Sequence, residues 1–552
     1  MRLTVLHGGR QYAAEVPWEA AKVLIDSLKR AGARFDPHAK TWSAPVLPCD
    51  VAKAVGAAQC SDGKFWKSFY YHFTPPPEDV LKRHFCFKVE RWRRATCQEY
   101  CEERCADADY PEICVNKCEE RCEEEGWEPR IKKAEEVCLY KVEDGVVRVP
   151  RGLALRLASA LSYAELPPLG NFEGLRDYQA DVAKSVWAQL QRIGAATVQM
   201  ATGAGKSYMA GYLAKRLEEA GYKVFVIALQ LDLVRQMAEF AARFGARPTA
   251  VTVQTLWNRL REAGYVKEDW RNGDDDDEEG EVLKAYADES DAPEGLAEKF
   301  VGKKTAVIID EVHHLPARTV KTVAMLAGDG EALRIGLSAT PWRNDGRDLE
   351  IYAYTGDVVE PRISSSYLIQ RGFAVPVDIY MVELGDWGCR GGAYAEVRRC
   401  LAESDKRNRL IAELVEKAPK PALVLTPLVK HAETLGGLIP GAEVATGAVK
   451  GEARAEIYRR VREGKVRVLV ATTIADEGLD LPPLRSAVFA LGGRSKTRVL
   501  QRVGRLVRPW PGKDRAVVYD LWDSADYFKR QGEERMRLYK TEPAWRVEVV
   551  GP

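Results

Sequence analysis

Two short stretches carry the residue types from which phosphate chemistry is built. In VQMATGAGKS, residues 198–207, the small residues Thr202, Gly203, Ala204 and Gly205 run into Lys206 and Ser207. Glycines at 203 and 205 let the backbone curl so that its N–H groups converge on phosphate oxygens at a helix N-terminus. Lys206 then adds a point charge, and the Ser207 hydroxyl can ligate Mg2+. One position departs from the usual pattern of such loops, with Met200 standing where a glycine is expected. Downstream, the apolar run from Ala306 to Ile309 leads directly into Asp310, Glu311, Val312, His313 and His314. A carboxylate at the carboxyl edge of a strand can hold hydrated Mg2+, and its neighbour can orient and deprotonate an attacking water. Asp310 and Glu311 take these roles, so Ser207 and Asp310 are the candidate Mg2+ ligands.

Other segments supply partners for this chemistry. Arg176, Tyr178 and Gln179 lie just ahead of the phosphate loop. The Gln179 amide both donates and accepts and so could read adenine, while Tyr178 or Arg176 could cover the base face. Ser338, Ala339 and Thr340 follow the strand-like run LRIGL, and small hydroxyls there could bond to the DEVH segment. Gln501, Arg502, Gly504, Arg505 and Arg508 share a helical pattern in which Arg505 and Arg508, three residues apart, fall on one face. Guanidinium groups so placed can stabilise charge that builds on phosphoryl oxygens during transfer.

The elements that must position these groups repeat one form: an apolar strand, a polar or glycine-containing turn, then a helical pattern. Such α/β sheets present ligand groups at strand carboxyl ends. The chain has 552 residues, room for several domains with cores of their own. It has no run of 18 apolar residues, and MRLTVLHGGRQ is too polar for a secretory signal, so a cytoplasmic protein without membrane contact is expected. A net charge of +1 neither demands nor excludes nucleic acid, because a groove needs local rather than global positive charge.

The N-terminal third differs in composition. Residues 1–60 read as a small α/β domain with one amphipathic helix. Residues 61–165 form a second accessory region, in which Lys64 to Arg94 carries eight Lys or Arg against three acidic residues, interleaved with nine aromatic ones. Rings such as Trp66, Phe69, Tyr70 and Trp92 could stack on bases beside phosphate-holding cations, or could fill the core of a small domain. A hairpin centred on Asp144-Gly145 and a Pro/Gly linker follow, with the main boundary near 165–174.

Taken in order, LRDYQ, ATGAGKS, VFVIALQLDLVRQ, VTVQTL, VIIDEVHHLP, GLSATPWRNDG, LVLTP, VLVATTIADEGLDLP and QRVGRLVRP resemble the superfamily 2 helicases, specifically the archaeal XPB-like repair helicases and the type III restriction helicase subunits. The resemblance covers residues 175 to about 525. It implies two tandem RecA-like domains, parallel sheets flanked by helices, at 175–360 and 405–525, with 361–404 as a connector or reduced thumb and 526–552 as a C-terminal extension. ATP would lie between the domains and a nucleic-acid strand across the top. Arg505 and Arg508 would be arginine fingers, and Gln501 would contact water or γ-phosphate. Gly478 and Asp480 would join the cleft to the strand surface, and His313, Ser338, Ala339 and Thr340 would couple hydrolysis to movement. Strand contacts would come from Gln230, Arg235, Thr252, Gln254, Thr255, Thr426, Lys430, Thr472 and Thr473. The function implied is that of an ATP-dependent DNA helicase or translocase, 3′ to 5′ on single strands, acting in repair as a monomeric motor, with a nuclease as possible partner. A remodeller that displaces bound protein without separating strands, or an RNA helicase, are the alternatives.

Two departures bear on strand opening. XPB-like proteins carry Arg-Glu-Asp after the SATP segment, whereas this chain reads Arg343, Asn344, Asp345, and the stretch available for a thumb is short. An insertion at about 264–300 includes six consecutive acidic residues, Asp274 to Glu279, which read as a solvated loop or as a mimic competing for the DNA groove.

Ten of the twelve cysteines precede residue 140. Cys97, Cys101 and Cys105 repeat every four residues, as do Cys114, Cys118 and Cys122, so each trio would form a stripe on one helix of a hairpin at about 96–125. Thr96 and Glu99 have capping-box spacing. Folded antiparallel, the stripes allow one nested pairing: Cys97–Cys122, Cys101–Cys118 and Cys105–Cys114. A zinc site and an iron–sulfur cluster are the competing readings, and both fit two rigid rows of thiols less well than staples do. Cys86 with Cys138 could close a fourth bridge and Cys49 with Cys60 another. Such bridges inside a cell would point to a hyperthermophilic archaeon.

Overall fold

The computed structural model describes residues 2–551 except 8–9, 31–32, 38–39, 44–50, 52–53, 55–69, 74, 106–113, 117, 120–121, 123–129, 144–145, 159–160, 267–292, 294, 344, 390–393, 448, 450, 473–480 and 493–495. Cys49, Cys60, Trp66, Phe69, the acidic run 274–279 and Asn344 therefore lie outside the described residues. The chain divides into two units, Met1–Ser162 with Trp342–Tyr354, and Tyr163–Pro341 with Thr355–Pro552. No described helix is long and apolar enough to cross a membrane.

In the first unit, β1 (Arg2–His7), β2 (Arg10–Glu15), β3 (Arg34–Asp36) and β4 (Thr41–Ser43) form a sheet of order β2-β1-β4-β3. Strand alternation turns Leu3 and Val5 inward, and helix Trp18–Arg30 buries Ala21, Leu24 and Leu28 at three- and four-residue spacing in the same core. Further on, β5 (Tyr70–Phe73), β6 (Cys86–Arg94), β7 (Arg130–Cys138), β8 (Lys141–Glu143) and β9 (Val146–Pro150) make a three-stranded sheet, β5-β9-β8, and a two-stranded ribbon, β6-β7. Strands β8 and β9 pair antiparallel around residues 144–145, with Glu143 opposite Val146. The ribbon pairs Cys86 with Cys138 at one end and Arg94 with Arg130 at the other.

Between the ribbon's arms lies the cysteine-rich segment. Helix Cys97–Cys105 opens with reciprocal bonds, Thr96 N–H to the Glu99 carboxylate and Glu99 N–H to the Thr96 hydroxyl, each 3.1 Å. The described residues among 114–122 are helical as well. Disulfides join Cys97 to Cys122, Cys101 to Cys118 and Cys105 to Cys114, with Cα separations of 5.7, 5.6 and 5.8 Å, and a fourth joins Cys86 to Cys138.

The second unit holds two parallel sheets. The first comprises β10 (Ala195–Gln199), β11 (Lys223–Ala228), β12 (Thr249–Thr252), β13 (Thr305–Ile309) and β14 (Leu333–Ser338) in the order β10-β14-β13-β11-β12. Continuous apolar runs such as TAVII suit strands covered on both faces, and every residue of β13 and β14 is buried. The second comprises β15 (Val377–Glu383), β16 (Ala422–Thr426), β17 (Ala442–Ala445), β18 (Val468–Thr472), β19 (Ser486–Phe489), β20 (Ala516–Trp522) and β21 (Trp545–Val550) in the order β17-β18-β16-β19-β20-β15-β21. The stretches read as connector and as C-terminal extension thus each supply a strand: β15 pairs with both β20 and β21. Their apolar residues need this cover, since Val377, Ile379, Met381 and Trp545 all enter the core. Among the described residues a further disulfide, Cys389–Cys400, precedes β16 and was not legible as a pair in the sequence.

Candidate ATP-hydrolysis site

The phosphate loop connects β10 to helix Lys206–Glu219. Gly203 and Gly205 adopt φ of +85° and +83°, a region open to glycine at little cost. The loop is braced from behind. Gln179 accepts from the Arg176 N–H (2.9 Å) and donates to the Ala204 carbonyl (2.9 Å), which also accepts from the Tyr178 hydroxyl (3.0 Å). Both side chains are buried and neither lines the cavity in front of the loop. In this arrangement the polar groups of Gln179 and Tyr178, expected to meet the base, bond to backbone groups at and just ahead of the loop. Arg176 does line the cavity, with its guanidinium 4.3 Å over the Phe373 ring. Lys206 donates to the Met200 carbonyl at 3.3 Å.

Strand β13 delivers Asp310 and Glu311 to the same cavity. Glu311 sits at φ +48°, a left-handed conformation that is strained for a residue other than glycine and is the kind of local cost found at functional sites. Its Oε2 lies 3.3 Å from Ser338 Oγ, 3.3 Å from His313 Nδ1 and 3.1 Å from Gln501 Nε2. Ser338 also faces His313 Nδ1 at 3.1 Å and accepts from the Thr340 N–H at 3.0 Å, with Ala339 between them. Burial works against the charged form of Glu311, but the hydrogen bond from His313 and the positive charge of Lys206 outweigh it and hold this carboxyl below its ordinary range. Asp310 goes the other way, raised by burial and then by the neighbouring Glu311 charge. One of its oxygens, Oδ1, is buried without a hydrogen-bond partner among the described residues. An orphaned carboxylate oxygen in a cavity that Ser207 also lines fits a divalent cation, whose charge would compensate both burial and the adjacent carboxylate.

From the second sheet, helix Lys496–Leu506 brings Gln501 and Arg505 to the cavity, and Arg508 follows. Burial, and next the charge of Arg462, lower the Arg508 guanidinium to about 10. The helix approaches the phosphate loop closely at Gly504, where a Cβ would stand 2.8 Å from Thr202 Cβ. The cavity so enclosed measures about 370 Å³. Sequence reading missed Tyr208, Gln236, Phe240, His314, Phe373 and Pro482, which also line it. Only Phe373, in LIQRGFAVP, carried a signal, as an aromatic beside glycine in a turn.

Comparison with known proteins identifies the family to which the residues around this cavity belong. Residues 173–343 match the family described as the type III restriction enzyme res subunit, and residues 405–509 match the helicase conserved C-terminal domain. The chain is a superfamily 2 helicase. It is of the XPB-like and restriction-helicase type, and helicase domains of this kind bind and hydrolyse ATP. A protein of Sulfolobus islandicus filamentous virus named as a helicase is 27% identical over 399 residues, which cover 68% of each chain. The DNA 3′-5′ translocase XPB2 of Sulfurisphaera tokodaii is 25% identical over 399 residues, covering 64% of this chain and 83% of its own. The DNA 3′-5′ helicase XPB of Mycobacterium tuberculosis is 26% identical over 358 residues, covering 63% of this chain and 60% of its own length.

The helicase's expected strand-contact residues fall into three groups. Gln230 lines the ATP cavity itself, as the residue preceding helix Leu231–Arg243. Arg235 and Lys430 are exposed. Thr252, Thr426 and Thr472 end β12, β16 and β18 and are buried. Thr252 caps helix Val253–Glu262 by accepting from the Thr255 N–H at 3.1 Å, and Gln254 donates to Asn258. Thr426 is spent on a side-chain chain: Asn408 donates to the Ala402 carbonyl (2.8 Å), so its Oδ1 faces His431 Nε2 (3.0 Å), and His431 Nδ1 accepts from the Thr426 hydroxyl (2.8 Å). Thr252 and Thr426 thus shape strand ends through their hydroxyls. Thr473, Gly478 and Asp480 lie outside the described residues.

Proposed function

We propose that the chain is an ATP-dependent DNA helicase or translocase that runs 3′ to 5′ along single-stranded DNA, acts in DNA repair and works as a monomeric motor beside a nuclease. Residues 175–360 and 405–525 form the cores of its two motor domains, with 1–60 and 61–165 as accessory domains, while the connecting stretch 361–404 and the C-terminal 526–552 each add a strand, β15 and β21, to the second motor domain. The observation that carries the reading is the convergence of Lys206, Asp310 and Glu311 from one sheet with Gln501, Arg505 and Arg508 from the other on a single cavity. Supporting the choice of DNA are the names of relatives from Sulfurisphaera tokodaii and Mycobacterium tuberculosis.

In this mechanism the loop N–H groups and Lys206 cradle the phosphates, and Ser207 and Asp310 would hold Mg2+, which would supply neutralisation of phosphoryl charge. Glu311, ionised by its neighbours, takes a proton from the attacking water that Gln501 orients. Arg505 and Arg508 meet the charge that develops on the phosphoryl oxygens. Because Ser338 and His313 touch the same carboxylate oxygen as Gln501, a change at the nucleotide would alter contacts in both sheets at once, which is what coupling to strand movement requires.

ATPase stimulation by single-stranded DNA and RNA of equal length tests the substrate, and a 3′-tailed duplex tests strand separation. Stronger stimulation by DNA with unwinding is expected. Equal or greater stimulation by RNA overturns the DNA assignment, and DNA stimulation without unwinding favours the remodeller, a reading that the Arg343-Asn344-Asp345 departure supports.

A further inference from the structure

At the edge of the second sheet opposite Thr426 and Thr472 lies a second cavity, of about 480 Å³. It is lined by Lys420, Arg462, Arg467 and Arg485 together with the exposed ring of Trp510. Three of these cations stand at the starts of three adjacent strands: Lys420 just before β16, Arg467 immediately before β18 and Arg485 immediately before β19, in the order β18-β16-β19. Backbone bonds fix their spacing, from Ala422 N–H to the Arg467 carbonyl and from Arg485 N–H to the Pro421 carbonyl, each 2.9 Å. With parallel strands about 4.8 Å apart, the backbone positions from which these side chains start span roughly 10 Å.

Cations outnumber carboxylates in this lining, where Glu463 is the acidic residue. Among the described residues no carboxylate pairs with Lys420, Arg467 or Arg485. Glu463, the acidic residue in the lining, is already bound to Arg459 and Lys465. Lys420 rests its ammonium on the carbonyls of Val415 and Ala418, so it contributes field, and Arg467 and Arg485 are left for direct contact. Burial and then neighbouring arginines lower the Lys420 and Lys513 ammonium groups, Lys513 to about 7, as expected where like charges gather.

A thin wall separates this cavity from the ATP site. Pro482 and Pro509 face the ATP cavity, whereas their successors Pro483 and Trp510 face the basic one. Lys513 ties the two segments together, donating its ammonium to the Pro482 carbonyl (3.0 Å) and its N–H to the Trp510 carbonyl (2.9 Å).

We propose that this cavity is a second nucleic-acid contact, in which Arg467 and Arg485 hold phosphates of a single strand while a base stacks on Trp510. The inference rests on the motor acting on nucleic acid. Unpaired arginines beside an exposed aromatic ring match the phosphate-plus-stacking chemistry of single-strand binding. A site on this edge would let a strand beyond the main path bear on the segment that carries Arg508.

The test uses the full chain as R467A/R485A, W510A and W510F. Binding of a short oligothymidylate is followed across a salt series, and a 5-iododeoxyuridine oligomer is photo-crosslinked and mapped. Loss of two phosphate contacts should reduce the slope of log affinity against log salt by about 1.4. W510A should weaken binding about fivefold or more with the slope unchanged, W510F should retain affinity, and the crosslink should map to Trp510. Unstimulated ATPase should match the wild type in all three, which reports intact folding. Variants that bind with wild-type affinity and slope, while the wild type binds DNA, overturn this site and leave the proposed function standing. Failure of the wild type to bind DNA or RNA overturns both. Crosslinking competed by a free nucleotide as well as by the oligomer would make the ligand a mononucleotide and remove the strand contact.

Discussion

In the cysteine-rich hairpin, partners stand 9, 17 and 25 residues apart and are joined covalently, whereas in the ATP cleft Gln501 reaches Glu311 across 190 residues through a single hydrogen bond of 3.1 Å. The difference follows from what each region has to do. The helix CQEYCEERC offers almost no apolar stripe beyond its cysteines, so a short hairpin of this composition cannot be held by burial and is held by staples. The cleft has two sheets with full cores on either side, and its contacts must form and release as nucleotide turns over. It therefore uses hydrogen bonds, buried charge and one close approach at Gly504. Covalent locking suits a fixed shape, and reversible polar contact suits a cycle.

The sharpest way to break this comparison is at the cleft. E311Q should still bind ATP but lose turnover by roughly 10³ or more, because the phosphate cradle survives without the base, while K206A should lose nucleotide binding as well. Fluorescent-nucleotide binding with single-turnover hydrolysis separates the two, and near wild-type turnover in E311Q would remove the assigned base. Next in size is G504V. Its side chain would collide with Thr202 and hold the arginine-bearing helix off the loop, so kcat should fall roughly 10²-fold with the fold intact. Unchanged kcat would show that the close approach is not needed for hydrolysis.

The hairpin should respond in the opposite manner. Replacing Cys97 and Cys122 by serine should cost the N-terminal unit about 2–4 kcal/mol in calorimetric unfolding and leave unstimulated ATP turnover unchanged. Non-reducing peptide mapping should recover the pairs 97–122, 101–118 and 105–114, and free thiols with stoichiometric zinc or iron would replace staples by a metal site. A separate, pH-dependent effect concerns His431, whose pKa is lowered to about 3 by burial and then by the Arg407 charge. The unfolded chain binds the proton near 6.5 and the folded one does not, so stability is complete above about 6.5 and declines as pH falls toward 3. The limiting slope is about 1.4 kcal/mol per pH unit. H431Q should flatten that part of the stability profile, and an unaltered profile would place the acid sensitivity elsewhere.

Much of this was legible in residues and spacing alone. The phosphate loop, the Asp310-Glu311 pair and the Gln501 to Arg508 series depend on glycines, charges and helical periodicity that act within a few residues of one another. The two cysteine rows are of the same kind, because a four-residue repeat on a helix fixes one face whatever surrounds it. Pairing at longer range needed the tertiary structure. That Gln179 bonds to the loop depends on the Ala204 carbonyl, which lies 25 residues away in sequence and 2.9 Å away in space. That Val377–Glu383 and Trp545–Val550 complete the second sheet depends on strand order, which the alternation of apolar residues does not encode. Likewise, the cations at 420, 467 and 485 share no motif, and only the β18-β16-β19 adjacency brings them together. Local chemistry was thus determined by the sequence itself, while the meeting of distant groups was decided by the order in which parallel strands pack.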